Sequence, residues 1–543
     1  MMTRKWILIL PSIVFGCSIF YNCSRHQVNI RAFMPKFSIL QSSIAQFKSD
    51  SQQKSKSIPK PLSEVESIYW AVVEYHQRSQ LGSFNSSTKA RNSRYYILDS
   101  SANFSTGDIL RVFVETFNQL GQKQTYGGDF LIARAFNTDL QAGVKGSVLD
   151  MNDGSYLVTF PLFWQGNTRI SIRLYHSAQA AAVIRKLREN YPHRMAYRGI
   201  FISQGQRETS DCYFEARHPG PICDFSDLNS GVQWICGKPP SLSCDYFRHM
   251  ENYLNESNIL SKDEEMLLES SNILTEVTPG GAASVFVHKQ DLKSTFGQCH
   301  IQSLKPNSFS GFFLNNRWIP SHCQIQYFDS PDKTVQCLKG KKVFLIGDST
   351  TRQWWEYLLH HIPSLKAVDV GRHEWYSEHL AIDVANDIVV QWKTHGMPWQ
   401  TGGEIVFFDL HPAVNQINTI FGGPDVVLVF TFGPHFSPFP LRRYIRALIK
   451  VRTALQKLLI RNPETIVILK NTNTRKVYSD ILHRSDLLSS DMNKAFSMVF
   501  KGMKVGFVDA WDMTVAYDSW DIHPSSGVVK NEIDLFLSYV CHE

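Results

Sequence analysis

Several signatures are missing from this 543-residue chain, and each absence removes a class of function. No Gly-x-x-x-x-Gly-Lys occurs, so there is no P-loop to cradle a nucleotide phosphate. The most nucleophile-like serine, Ser349, lacks a Gly-x-Ser-x-Gly elbow, because Thr351 stands where the second glycine belongs. The eight cysteines beyond residue 23 include no Cys-x-x-Cys, and no His-x-x-x-His accompanies them, so a zinc site lacks its ligands. No Lys/Arg run is interleaved with aromatics, and a net charge of +7 is mild for this length, which argues against nucleic acid as a partner. Beyond the N-terminus no apolar run is long enough to span a bilayer, and no internal repeat appears.

What is present points to the secretory pathway. Arg4 and Lys5 precede an apolar stretch from Trp6 to Tyr21. A basic segment followed by a short apolar one is a secretory leader, either a cleaved signal peptide or a type II anchor that would hold the chain in the Golgi lumen. Cys212, Cys223, Cys236, Cys244, Cys299, Cys323, Cys337 and Cys541 form an even set, read as disulfides with their pairing open. Sequons at Asn85, Asn103 and Asn255 suit a secreted or lumenal glycoprotein.

The chain divides by composition. Residues 1–23 are the leader, and residues 24–62, rich in Ser, Gln and Lys, are a polar stem. Residues 63–250 contain short alternating runs separated by turn signals, which predict an antiparallel β-sandwich capped by the four cysteines of Cys212–Cys244. Residues 251–296 read as a polar connector. Residues 297–543 alternate apolar strands (Val343–Ile346, Ile388–Trp392, Ile405–Phe408, Val426–Phe430, Ile466–Leu469, Val505–Val508) with longer segments such as the helix Leu441–Ile460. That alternation predicts a three-layer α/β domain on a parallel sheet.

The chemistry centres on "KVFLIGDSTTRQWWEYLLHHI", a strand, a Gly347-Asp348-Ser349 corner and an amphipathic helix. Ligands bind beyond the carboxyl ends of such strands, and a helix N-terminus offers free N–H groups to an oxyanion. Ser349 is therefore a candidate nucleophile, with plain helix capping by Ser349 or Asp348 as the alternative. A serine nucleophile needs a base. "YDSWDIHPSSGVV" places His523 in a loop after the last strand, on the edge where Ser349 emerges, with Asp521 or Asp518 as the acid that orients it.

Gly347-Asp348-Ser349 after the first strand, together with Asp-Ile-His-Pro near the end, resembles the PC-esterase branch of the SGNH/GDSL esterases. "SGFFLNNRWIPSHC" (Ser310–Cys323) is similar to the lead-in of that branch, and the sandwich with its Cys212–Cys244 cluster looks like a neurexophilin domain. The pairing resembles the neurexophilin and PC-esterase domain (NXPE) family. The resemblance implies a flavodoxin-like SGNH fold for 297–543 and an Ig-like sandwich before it. It implies O-acyl transfer to glycans, or their deacylation, through an acyl-serine on Ser349 with His523 as base. No bound cofactor is implied, and acetyl-CoA is the simplest acyl donor.

Gly396, in "THGMPW", is the implied second oxyanion N–H. The family's acid lies three residues before the histidine, but Trp520 stands there, leaving Asp521, the preferred reading, or Asp518. The family asparagine also has no counterpart: "VFTFGPHF" offers Gly433 and His435, with His435 expected to help place the sugar. The leading acceptor is sialic acid on glycoproteins. The contrasting expectation is a non-catalytic secreted glycoprotein that binds a cell-surface receptor through the sandwich. Arg442, Arg443, Arg446, Lys450 and Lys457 on the Leu441–Ile460 helix would suit an anionic acceptor, although a solvated helix face is the simpler reading. Trp354, Trp355, Trp375, Trp392 and Trp399 could stack on sugars, with core packing the expectation for most of them.

Overall fold

The computed structural model describes residues 62–543 apart from 74–82, 99–102, 192, 194, 215–218, 255–258, 291–295, 306–308, 401, 476–479 and 542–543. The leader, almost all of the stem and the sequon at Asn255 lie outside the described residues.

The carboxyl half is organised on five parallel strands: β1 (Lys342–Gly347), β2 (Ile388–Thr394), β3 (Val426–Phe430), β4 (Ile466–Lys470) and β5 (Lys504–Val508). Their spatial order is β2-β1-β3-β4-β5, with antiparallel strands added at both edges. Every residue of β3 is buried, as expected of a central strand covered on both faces. Gly347 of β1 pairs with Thr394 of β2, and Ile346 pairs with Phe430 of β3. The chain therefore leaves all three strands at one edge, and the strand order switches direction around β1, where such sheets open a crevice.

Helix α1 (Ser349–His361) follows β1, and α2 (Leu441–Arg461) follows β3. In α2, Leu441, Tyr444, Ile445, Leu448, Val451, Leu455 and Leu458 are buried at helical spacing. Three of its basic residues are engaged within the protein, while Lys450 and Lys457 stand exposed. Arg442 pairs with Glu66 at 2.8 Å and Arg452 with Glu64 at 2.5 Å, both on helix Glu64–Val73, while Arg443 lies 3.6 Å over the ring of Phe214.

Two largely antiparallel sheets, each with one short parallel edge strand, share a core of Val112, Val114, Val144, Val158 and Ile172 in the amino-terminal half. A third sheet, built on Met195–Ser203, Gln206–Phe214, Trp234–Gly237 and Phe247–Leu254, carries the disulfides Cys212–Cys236 and Cys223–Cys244. The cysteine-rich segment is thus a sheet in its own right rather than a cap. Cys299–Cys323 and Cys337–Cys541 complete the four disulfides.

The structure differs from the composition-based division in three places. Residues 251–296 are not simply a connector, since Ser284–His288 pairs with Gly166–His176 of the sandwich. The hairpin Gly311–Leu314/Arg317–Pro320 also joins the sandwich, through Phe313 opposite Gly143. The expected strand Ile405–Phe408 shrinks to Ile405–Val406 and pairs with Phe247–Leu254 of the cysteine-rich sheet, not with the parallel one. The common cause is that an open sheet edge takes whichever strand reaches it, whatever the distance along the chain. Among the described residues, no helix is long and apolar enough to cross a membrane.

Candidate active site

Gly347 ends β1 where the backbone must turn within a tight space. A Cβ there would lie 2.4 Å from Thr431 Cγ2 and 2.6 Å from Thr351 Oγ1. Asp348 is the N-cap of α1: its Oδ1 accepts from Thr350 N at 2.8 Å and from Thr350 Oγ1 at 2.7 Å. Asp348 thus takes the capping role and leaves the Ser349 side chain available. Ser349 Oγ stands 2.7 Å from His523 Nε2. For the hydroxyl to donate to Nε2, the imidazole proton must sit on Nδ1.

The His523 loop is anchored on both sides. Asn473 Nδ2 donates to Ile522 O at 3.2 Å, and Gln353 Nε2, one turn along α1, donates to Pro524 O at 3.1 Å. Thr474 Oγ1 donates to Ser519 O at 2.6 Å. Sequence reasoning missed Gln353 and Asn473. The available signal for Gln353 was its i+4 spacing from Ser349, which puts both on one helix face. Burial lowers the His523 pKa below its ordinary 6.5; nearby Asp348 opposes this and Arg352 reinforces it.

Neither candidate acid reaches the imidazole. Asp521 is exposed, and no hydrogen bond joins it to His523. Asp518 follows α3 (Ala510–Tyr517) as its C-cap, in a left-handed conformation with φ 68°. There it meets Arg134 and Arg173 of the sandwich at 2.6 Å each, and Trp520 Nε1 at 2.5 Å. The left-handed turn aims its carboxylate at the sandwich. The geometry in the structure is therefore a Ser349–His523 pair, with the acid of a triad at neither Asp521 nor Asp518.

Gly396 and His435 lie on the same sheet edge. Gly396 is two residues beyond Thr394, just as Ser349 is two beyond the paired Gly347. Its φ is +84°, and a Cβ would come within 2.8 Å of Pro412 Cα, so glycine is required there. Gly433 lies against the corner, where a Cβ would be 2.1 Å from Asp348 Oδ2. Beyond it, His435 Nδ1 accepts from Gln400 N at 2.9 Å, and its ring stacks on Trp399 with centroids 4.0 Å apart. Because the backbone amide occupies Nδ1, the neutral ring carries its proton on Nε2. Burial, followed by His395, Arg484, Arg475 and His523, holds the His435 pKa well below the ordinary histidine value.

A serine–histidine pair at the carboxyl edge of a parallel α/β sheet, in a chain that also carries antiparallel sheets and four disulfides, defines a composite class of protein. Family models divide the chain the same way: "Neurexophilin" matches residues 72–262, and "NXPE family member 4-like, C-terminal domain" matches residues 318–541. The chain belongs to the neurexophilin and PC-esterase domain (NXPE) family. Disulfides and a neurexophilin-like region fit a secretory-pathway protein. The chain is 45% identical over 47 residues to protein trichome birefringence-like 4 of Arabidopsis thaliana; that stretch is 9% of this chain and 10% of the plant protein. Among solved structures it is similar to FdeC, an Escherichia coli adhesin, at 12% identity over 36% of this chain and 66% of that one, with a TM-score of 0.14.

Proposed function

We propose that this protein is a secretory-pathway glycan O-acetyltransferase or esterase of SGNH type that works through an acyl-serine on Ser349. The observation that carries the reading is the 2.7 Å contact between Ser349 Oγ and His523 Nε2. His523 takes the hydroxyl proton as Ser349 Oγ bonds to the acyl carbon of the donor. The backbone N–H groups of Ser349 and Gly396 hold the oxyanion, each such donor contributing about 3–4 kcal/mol of transition-state stabilisation. The imidazolium then protonates the departing alcohol or thiol, leaving the acyl-serine. A sugar hydroxyl attacks next in transfer, or water in hydrolysis. Its proton passes to His523 and on to the departing Ser349 oxygen.

Acetyl-CoA is the simplest donor, and sialic acid on secreted or surface glycoproteins is the leading acceptor. His435, with Nε2–H free to donate, is suited to place a sugar oxygen. The test is acyl incorporation from a labelled donor by secreted wild-type protein and Ser349→Ala. Loss of incorporation with intact secretion supports the reading, and retained incorporation overturns it.

The neurexophilin match over residues 72–262 favours a second reading, a secreted glycoprotein that binds a cell-surface receptor through its antiparallel sheets. Cell binding that is indifferent to Ser349→Ala, in a protein inert towards every acyl donor, would favour that reading.

A further inference from the structure

Five tryptophans cluster around the sheet edge in sequence, and the structure separates them. Trp354, Trp392 and Trp399 are completely buried and Trp355 is 8% exposed, whereas Trp375 is 45% exposed. Among the described residues, Trp375 is the tryptophan that stands exposed. Two chains of contacts place it at the rim of the Ser349–His523 pair. Its carbonyl accepts from Arg352 Nη1 at 2.9 Å, and Arg352 is one turn beyond Ser349 on α1, close enough for its charge to act on His523. On the other side, its ring is 6.3 Å from that of Trp399, which stacks on His435.

Arg352 also lies beneath the indole, with Cζ 5.6 Å from the ring centroid. Its Nε is paired with Glu356 Oε1 at 3.0 Å, and Nη1 is held by the Trp375 carbonyl. Nη2 has no partner among the described residues. The Arg352 side chain is 17% exposed and the Glu356 carboxylate 44%, so the pair opens to solvent on its carboxylate side, where a ligand carboxylate can approach.

We propose that Trp375 and Arg352 form the acceptor subsite, built for a sugar ring that bears a carboxylate. The inference rests on the acyl-transfer reading above and names the residues that would hold its acceptor. The exposed indole face covers the C–H face of a pyranose. The guanidinium edge, planar and permanently charged, takes the carboxylate. An acceptor held this way lies along the first turn of α1, beside the serine that would carry the acyl group. Within α2, Arg442, Arg443 and Arg452 do not compete for the role, because they are engaged within the protein.

The test is direct binding of 3′-sialyllactose and of neutral lactose to the full secreted chain, followed by ligand-observed NMR titration. Wild-type protein should bind the sialylated sugar at least ten-fold more tightly than lactose. Trp375→Ala should weaken both sugars about ten-fold, while Trp375→Phe restores most of the binding. Arg352→Gln should remove the preference for the charged sugar, and Arg352→Lys should recover part of it. Phe421→Ala, an exposed residue at the opposite edge of the sheet near Lys342 and Val426, should bind like wild type. Equal binding of the two sugars by wild type overturns the proposal, as does wild-type affinity in Trp375→Ala. Fluorophosphonate labelling of Ser349 on the same samples separates the two claims. An unlabelled wild type with selective sugar binding breaks the acyl-serine reading alone, whereas a labelled wild type without selectivity breaks the subsite.

Discussion

Asp518→Asn separates two roles that the same carboxylate could hold. In the structure Asp518 is a clamp between the sandwich and the loop that carries His523, not a partner of the imidazole. Asparagine tolerates the left-handed φ of 68° and keeps an oxygen for Trp520 Nε1, so the substitution removes little besides the charge. Two largely buried arginines, with side chains 13% and 20% exposed, then lose their carboxylate. Breaking a buried pair costs about 3–5 kcal/mol, and because Asp518 is 31% exposed we scale this to about 2–3 kcal/mol.

That loss should appear as a melting temperature lower by several degrees. Asn473 and Gln353 still hold the loop, so turnover should fall only about ten-fold. Arg173→Gln should reproduce the effect, and the double variant should be less than additive, since both act on one interaction. The assay pairs thermal unfolding with acyl turnover at matched protein levels. A triad acid behaves differently, because its loss depresses turnover about 10⁴-fold with the fold intact. A fall of that size in Asp518→Asn, with an unchanged melting temperature, would refute the clamp.

Three further outcomes follow from the geometry. Gly396→Ala forces a Cβ to within 2.8 Å of Pro412 Cα at a positive φ, so kcat should fall about 10²–10³-fold through the displaced N–H while the protein is still secreted; normal kcat would remove Gly396 from the oxyanion site. Cys337 and Cys541 are 204 residues apart, and closing so long a loop contributes ~5 kcal/mol by chain entropy, so the Cys337→Ser/Cys541→Ser pair should lower denaturant stability more than the loss of either disulfide in the cysteine-rich sheet. Because burial lowers the His523 pKa, the neutral base persists into mildly acidic solution: the acid limb of kcat/KM should fall below pH 6.5, and the part of stability owed to neutral His523, complete above 6.5, should fade as pH drops through the folded pKa. An acid limb above pH 7 would contradict that environment.

Where the local pattern and the tertiary environment agree, the sequence and the structure coincide. Val426–Phe430 is a strand to the residue, because a five-residue apolar run rich in valine is too short for a helix and suits a strand buried on both faces. Leu441–Arg461 is read within a residue from its apolar stripe. The Gly347–Ser349 corner and its meeting with His523 were legible because strand, turn and helix each carry their own signal. Ile405–Phe408 was not, since an apolar run does not say which open edge it will join. The spacing of Asp518 from His523 likewise hid a left-handed turn that sends its carboxylate to Arg134 and Arg173, more than three hundred residues earlier. Gln353 and Asn473 hold the base loop through side-chain amides, and amides at ordinary loop and helix positions leave no pattern to read.

The central claim is that Ser349 is a nucleophile activated by His523. It is tested most directly by treating the secreted protein with a fluorophosphonate and mapping the adduct by peptide mass spectrometry. A single adduct on Ser349 is expected, absent in Ser349→Ala and formed at least 100-fold more slowly in His523→Ala. A folded wild-type protein that takes no label at Ser349, or a His523→Ala variant labelled at the wild-type rate, would contradict it.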